Sequence, residues 1–136
     1  MPKIEVSTRE ETKSSHKDYL IKAKEFFQTA GDAYLRRNWN AVGLNAVHSA
    51  ISANDALIIY QIGKRCVSDK HSDAVKLLLF AFAKNKEVKK QSRHLSWLIA
   101  KKNIVEYELR LFQEKEATDA IKHAERFLNW INSKIL

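Results

Sequence analysis

The side chains best suited to chemistry are His48 and Asp55, and Lys102 with Asn103, Glu106 and Tyr107 behind it. His48 and Asp55 stand seven residues apart, two helical turns, and so share a helix face with Ser52 and Asn54 close by. An imidazole and a carboxylate so placed either bond a neighbouring helix or exchange protons, and an aspartate buried there needs a partner. Lys102 falls in an inward slot between Leu98 and Val105 of an otherwise apolar series. Either its stem lies along the core edge with the ammonium in water, or the cation faces a groove where phosphate or carboxylate compensates it. The functional version sets Asp55 opposite Lys102 across the helices. His71 reads as a cap or surface group, while His16, His94 and His123 fall on polar faces without a constellation.

The same inventory excludes several chemistries. There is no Glu-x-x-His, and no two of the 5 histidines are three or four residues apart, so a di-iron helical site lacks its ligands. The single Cys66 leaves no internal disulfide and no thiolate zinc site. Neither a glycine-rich phosphate loop nor a nucleophile elbow is present, and no metal or cofactor is expected. Charge is more telling. The chain carries 24 Lys and Arg against 16 Asp and Glu, a net +8. From Lys84 to Lys102, the seven cations Lys84, Lys86, Lys89, Lys90, Arg93, Lys101 and Lys102 face Glu87 alone, so most of that excess sits in one stretch. Such a stretch is either a solvated face or an anion-binding one, drawing phosphate backbones or an acidic partner.

The elements that must position these groups follow from periodicity. With 136 residues the chain is expected to be one domain, and with 1 proline and 3 glycines it is poor in the turns an all-β fold needs. Residues 1–13 lack an apolar stripe and read as a flexible leader, followed by a single domain over 14–136. Ser15 to Asp18 fits a capping box, and Leu20, Ala23, Phe27, Ala30 and Tyr34 mark a first helix to about Arg37. Asn38 would cap a second, from Trp39 to about Ile62, in which small and apolar residues run almost all round, the mark of a central helix. Gly63 would end it. A short helix carries Ala74 to Phe82. A fourth runs from about Val88 to Phe112 on the stripe Leu95, Leu98, Lys102, Val105, Leu109 and Phe112, and a fifth carries Ala117 to Ile135. The expected fold is all-α, an up-and-down helical bundle of four long helices plus one short one. No apolar run reaches about 18 residues and the N-terminus is charged, so a cytoplasmic protein without a membrane span is expected.

Taken together, Ala41 to Leu44, His48 to Leu57, Gly63, Arg65, Leu98 to Asn103, Glu106 to Glu108 and Ala124 to Leu128 resemble the HEPN domain family (higher eukaryotes and prokaryotes nucleotide-binding), over about residues 17–136. The resemblance implies a helical bundle that dimerises with the fourth helix near the dimer cleft. Catalytic members are metal-independent ribonucleases whose motif is an arginine, often with a polar residue after it, and then a histidine after four to six intervening residues. The arginine steadies phosphate charge and the histidine assists proton transfer at the 2′-hydroxyl. Lys102-Asn103 matches the start with lysine in place of arginine, and the histidine window holds Tyr107, Glu108 and Leu109. Lysine lacks the bidentate fork, and neither tyrosine nor glutamate replaces an imidazole near neutral pH. The resemblance therefore implies a noncatalytic dimeric protein that binds RNA, a nucleotide or a protein partner. A nucleotidyltransferase is one such partner, in a toxin–antitoxin or defence context. The alternative is a ribonuclease with the degenerate motif Lys102-Asn103 and Tyr107, for which His48 and Asp55 are further candidates from another helix.

Overall fold

The computed structural model describes residues 5–70, 72–83 and 85–135. Its elements are β1 (Thr8–Glu10), a 3-10 turn (Lys13–Ser15), α1 (His16–Leu35), α2 (Trp39–Ile62), β2 (Lys64–Cys66), α3 (Ser72–Ala81), α4 (Lys86–Glu106) and α5 (Glu114–Lys134). The molecule is mostly helical, in line with the all-α expectation, with one small antiparallel ribbon added. In it Thr8 pairs Cys66, Arg9 pairs Arg65 and Glu10 pairs Lys64. The segment read as a leader thus contributes residues 8–10 to a strand, and backbone bonds from Glu11 to Gly63 (2.9 Å) and from Val67 to Ser7 (3.0 Å) lengthen the contact.

α2 is the central helix, as its composition implies. It packs against α1, α3, α4, α5 and β2, and buries residues from Val42 through Ile59. Small side chains make the approach close. Ala23, Ala30 and Ala33 of α1 and Ala46, Ala50 and Ala53 of α2 belong to one buried cluster, and the Ser49 hydroxyl donates to the Ala23 carbonyl at 2.7 Å. Gly63 ends α2 in the left-handed conformation (φ 67°), where a residue without Cβ carries no steric penalty.

The helix ends depart from expectation in instructive ways. Ser15 makes no side-chain cap because its backbone is already helical, the 3-10 turn running straight into α1. Asn38 likewise makes no side-chain cap. Asn85 does cap α4, accepting from the amides of Glu87 (2.8 Å) and Val88 (3.3 Å). Gln113 and Glu116 form a reciprocal capping box at the start of α5.

The largest correction concerns the end of α4. The apolar stripe predicts a helix to Phe112, but α4 stops at Glu106 and Leu109 is 99% exposed. The chain needs residues 107–113 to reverse direction, and three interactions hold that reversal. The Asn40 side chain accepts from the Phe112 amide (2.8 Å), Arg110 grips Glu116 through two bonds (2.9 and 2.7 Å), and the capping box sets where α5 begins. Phe112 is still buried, from the loop, against Gly43 of α2.

Candidate functional site

α2 and α4 run antiparallel, since Gly43 lies by Val105, His48 meets Glu106, and Asp55 shares a cleft with Ile99. This arrangement brings Lys102 and His48 to one carboxylate. Lys102 Nζ donates to Glu106 Oε2 at 2.9 Å, and His48 Nε2 lies 3.0 Å from Glu106 Oε1. Burial pushes the Glu106 carboxyl up, but Lys102, Tyr107 and His48 together outweigh it and hold the group below its ordinary value. The carboxylate is therefore ionised and only accepts, so His48 Nε2 carries the hydrogen and donates to it. Lys102 and Glu106 are each 14% exposed at the side chain and His48 is 38% exposed, so the imidazole is the accessible end of the chain. The His48 ring also lies 5.8 Å from that of Phe26.

Lys102 thus takes the inward slot expected of it, compensated by a carboxylate from its own helix. Its ammonium also sits 5.8 Å from the centre of the Tyr107 ring, itself largely exposed. Asn103 is exposed, and its carbonyl closes the end of α4 by accepting from the Tyr107 and Glu108 amides (3.0 and 3.2 Å).

Asp55 does not complete this group. It lines a separate cleft of about 120 Å³ with Ile51, Arg65, Cys66, Ser68, Lys70, Ala74 and Ile99, space for water molecules but not for a nucleotide. Burial raises its carboxyl to about 7, against the attraction of Arg65 and Lys22 and with the repulsion of Glu11. The charges acting on Asp55 come from the ribbon and α1, because the strand after Gly63 carries Arg65 back over the end of α2. Burial also pushes the Cys66 thiol up, which works against a reactive thiolate.

The basic stretch divides in two. Lys101 leans on the Trp97 ring (5.1 Å) and approaches Glu116 (4.0 Å), and Lys102 is paired as described. Lys86, Lys89, Lys90 and Arg93 are exposed along the first half of α4 and enter no ion pair among the described residues. Lys84, expected in the same set, lies outside the described residues, as does His71.

One constellation escapes sequence reasoning altogether. His94 and His123, expected to stand apart on polar faces, meet across α4 and α5 with their Nδ1 atoms 2.9 Å apart. They are 29 residues apart on different helices, so no local spacing announces them. Among the described residues no three His, Cys, Asp or Glu side chains converge as a metal group, and no helix is long and apolar enough to cross a membrane. In comparison with known families, the model described as HEPN domain matches residues 16–134. No curated protein and no solved structure gives a significant match.

Proposed function

We propose, from the premise that this chain belongs to the HEPN domain family, that it is a noncatalytic, dimeric binding module whose ligand is the phosphate backbone of RNA in the cytoplasm. The observation that carries this reading is where the free positive charge lies. At the position of the family's ribonuclease motif, Lys102 is neutralised by Glu106 and His48 bonds the same carboxylate, so those side chains satisfy one another. Lys86, Lys89, Lys90 and Arg93 have no such partners among the described residues and stand exposed on one helix. Cations so presented release counterions when they meet a polyanion, which supplies sequence-independent affinity. The same strip suits a nucleotide, or an acidic protein such as a nucleotidyltransferase in a toxin–antitoxin or defence setting. Tyr107, Leu109 and Leu111, exposed just beyond α4, support the homodimer as apolar surface for a second copy.

The His48–Glu106 bond favours a second reading, a metal-independent ribonuclease. There Glu106 orients His48, Nδ1 serves as base for the 2′-hydroxyl, and Lys102, with Asn103 and Tyr107 beside it, steadies phosphate charge. Incubating RNA with the protein in a metal chelator separates the two. The binding reading expects intact RNA, retained by the protein at low salt and released when Lys86, Lys89 and Arg93 are changed to Glu. RNA cleavage that disappears in a folded Lys102→Ala variant would sink it in favour of the enzyme.

A further inference from the structure

The seam between α4 and α5 holds a group of side chains that, Lys90 apart, take no part in the proposed RNA contacts. We propose that this seam is a proton-coupled phosphate site, in which Lys90, His94 and Arg126 receive one phosphate group, free or carried by a nucleotide or an RNA strand, and His123 behind them shares a proton with His94.

The groove is lined by Lys90, Gln91, His94, Arg126 and Asn129, with no carboxylate among them. Its volume is about 480 Å³, enough for a phosphate and an attached sugar. Lys90 and Arg126 are exposed and enter no ion pair among the described residues, so two cations face the same opening uncompensated. The Gln91 Oε1 atom is buried without a hydrogen-bond partner, an orphan acceptor that a ligand hydroxyl would satisfy.

The histidine pair supplies the coupling to protons. With the two Nδ1 atoms 2.9 Å apart, one ring must donate and the other accept. Two imidazolium rings would set donor against donor, so the pair carries at most one charge while the bond lasts. Trp97 stacks on His123 (4.5 Å between centres, 25° between planes) and holds that ring in place. Of the charged groups nearby, α4 contributes Lys90 and Lys101, the latter drawn to Glu116. α5 contributes Arg126 and Asp119, whose carboxylate engages Lys115 at 3.3 Å. Burial, then His123 and the cations Arg126 and Lys90, hold His94 below its ordinary value. Burial and Arg126 lower His123 despite Asp119. Both rings are thus mainly neutral in the free protein near neutral pH. An arriving phosphate offers an acceptor to His94 and balances the two cations, so the bonded pair can take one proton from solvent, with His94 donating to the phosphate and to His123 or accepting from it. Binding and proton uptake are then one event. With two imidazoles and no converging third ligand among the described residues, the chemistry on offer is that of an anion site.

The test is to titrate the full chain with inorganic phosphate, adenosine 5′-monophosphate and a short oligouridylate. Calorimetry gives affinity and the histidine ring resonances report the site, near pH 6 and near pH 8. The expected result is that phosphate moves the His94 and His123 signals together, and that affinity rises on acidification by up to roughly tenfold per pH unit for each proton taken up. Changing both histidines to Gln leaves only the pH dependence of the probe's own second ionisation, and Arg126→Gln weakens all three probes. Tighter binding of the monophosphate than of phosphate identifies a nucleotide as the source, equal affinities the free anion, and the same ring shifts with oligouridylate an RNA strand. Ring signals unmoved by every probe, or moved with an affinity indifferent to pH, overturn the inference. The Lys86→Glu, Lys89→Glu, Arg93→Glu variant keeps this result distinct from the proposed RNA function. Loss of oligouridylate binding with the phosphate response intact separates the groove from the strip.

Discussion

A carboxylate has two oxygens, and Glu106 uses one for Lys102 and the other for His48, which draws α2 and α4 together through charge-assisted bonds. Asp55 is the opposite case, a carboxyl raised to about 7 chiefly by burial. In the unfolded chain it titrates near 3.8, so above that pH the folded protein holds a proton that the unfolded one has lost. Its stabilising contribution is complete below about 3.8, declines as pH rises through the window, and is gone above about 7. Asp55→Asn removes this titration. Its melting temperature relative to wild type is therefore expected to climb between about pH 4 and pH 7 and then level off, by on the order of 1 kcal/mol or more in stability. A difference that stays constant across that range would contradict the burial of a titrating Asp55. The sequence places His48 and Asp55 on one face of α2, and both do face α4. It leaves their partners unnamed, since Glu106 and Arg65 arrive from other elements.

At the scale of elements, the contact between α2, α4 and the loop after α4 depends on the missing side chain of Gly43. A Cβ there would stand 2.6 Å from Val105 Cγ1 and 2.7 Å from Phe112 Cε2, well inside contact distance. Gly43→Ala gains roughly 1 kcal/mol in helix propensity. The forced displacement of two packed side chains outweighs that gain, and a net loss of about 1–2 kcal/mol is expected in urea unfolding. Adding Val105→Ala should recover part of the loss, because the two changes share one contact. A Gly43→Ala protein as stable as wild type would mean that α2 does not approach the loop this closely. The same loop explains why the periodicity of α4 reads too long. Leu109 and Phe112 continue the heptad-like spacing, but the two bonds of Arg110 to Glu116 and the cap at Gln113 favour reversal. The two bonds from Arg110 hold the Glu116 carboxyl down at about 2, against the opposing effect of burial.

For the whole molecule, the net charge of +8 describes the chain less well than its distribution does. Glu106 and Glu116 compensate Lys102 and Lys101, while the first half of α4 stays uncompensated. If the four cations Lys86, Lys89, Lys90 and Arg93 carry the RNA contacts, the logarithm of affinity for a single strand should fall against the logarithm of salt with a slope of about −3. Reversing Lys86, Lys89 and Arg93 should flatten that slope toward zero. Binding that ignores salt, or keeps its slope in the variant, would place the contacts elsewhere.

By itself the sequence determined the helical class, the central position of α2, the glycine stop at Gly63, the inward slot of Lys102 and the basic stretch on α4. Each is a matter of local pattern, such as the spacing of apolar residues along one helix or the conformational freedom of one glycine. Only the tertiary structure decided what those side chains meet. It ended α4 at Glu106, gave Lys102 and His48 a common carboxylate, parted Asp55 from them, and brought His94 to His123. Those outcomes depend on which helices are neighbours and at what register they pack, and that is settled by the close fit of small residues and the reversals between helices, which no spacing within one segment records.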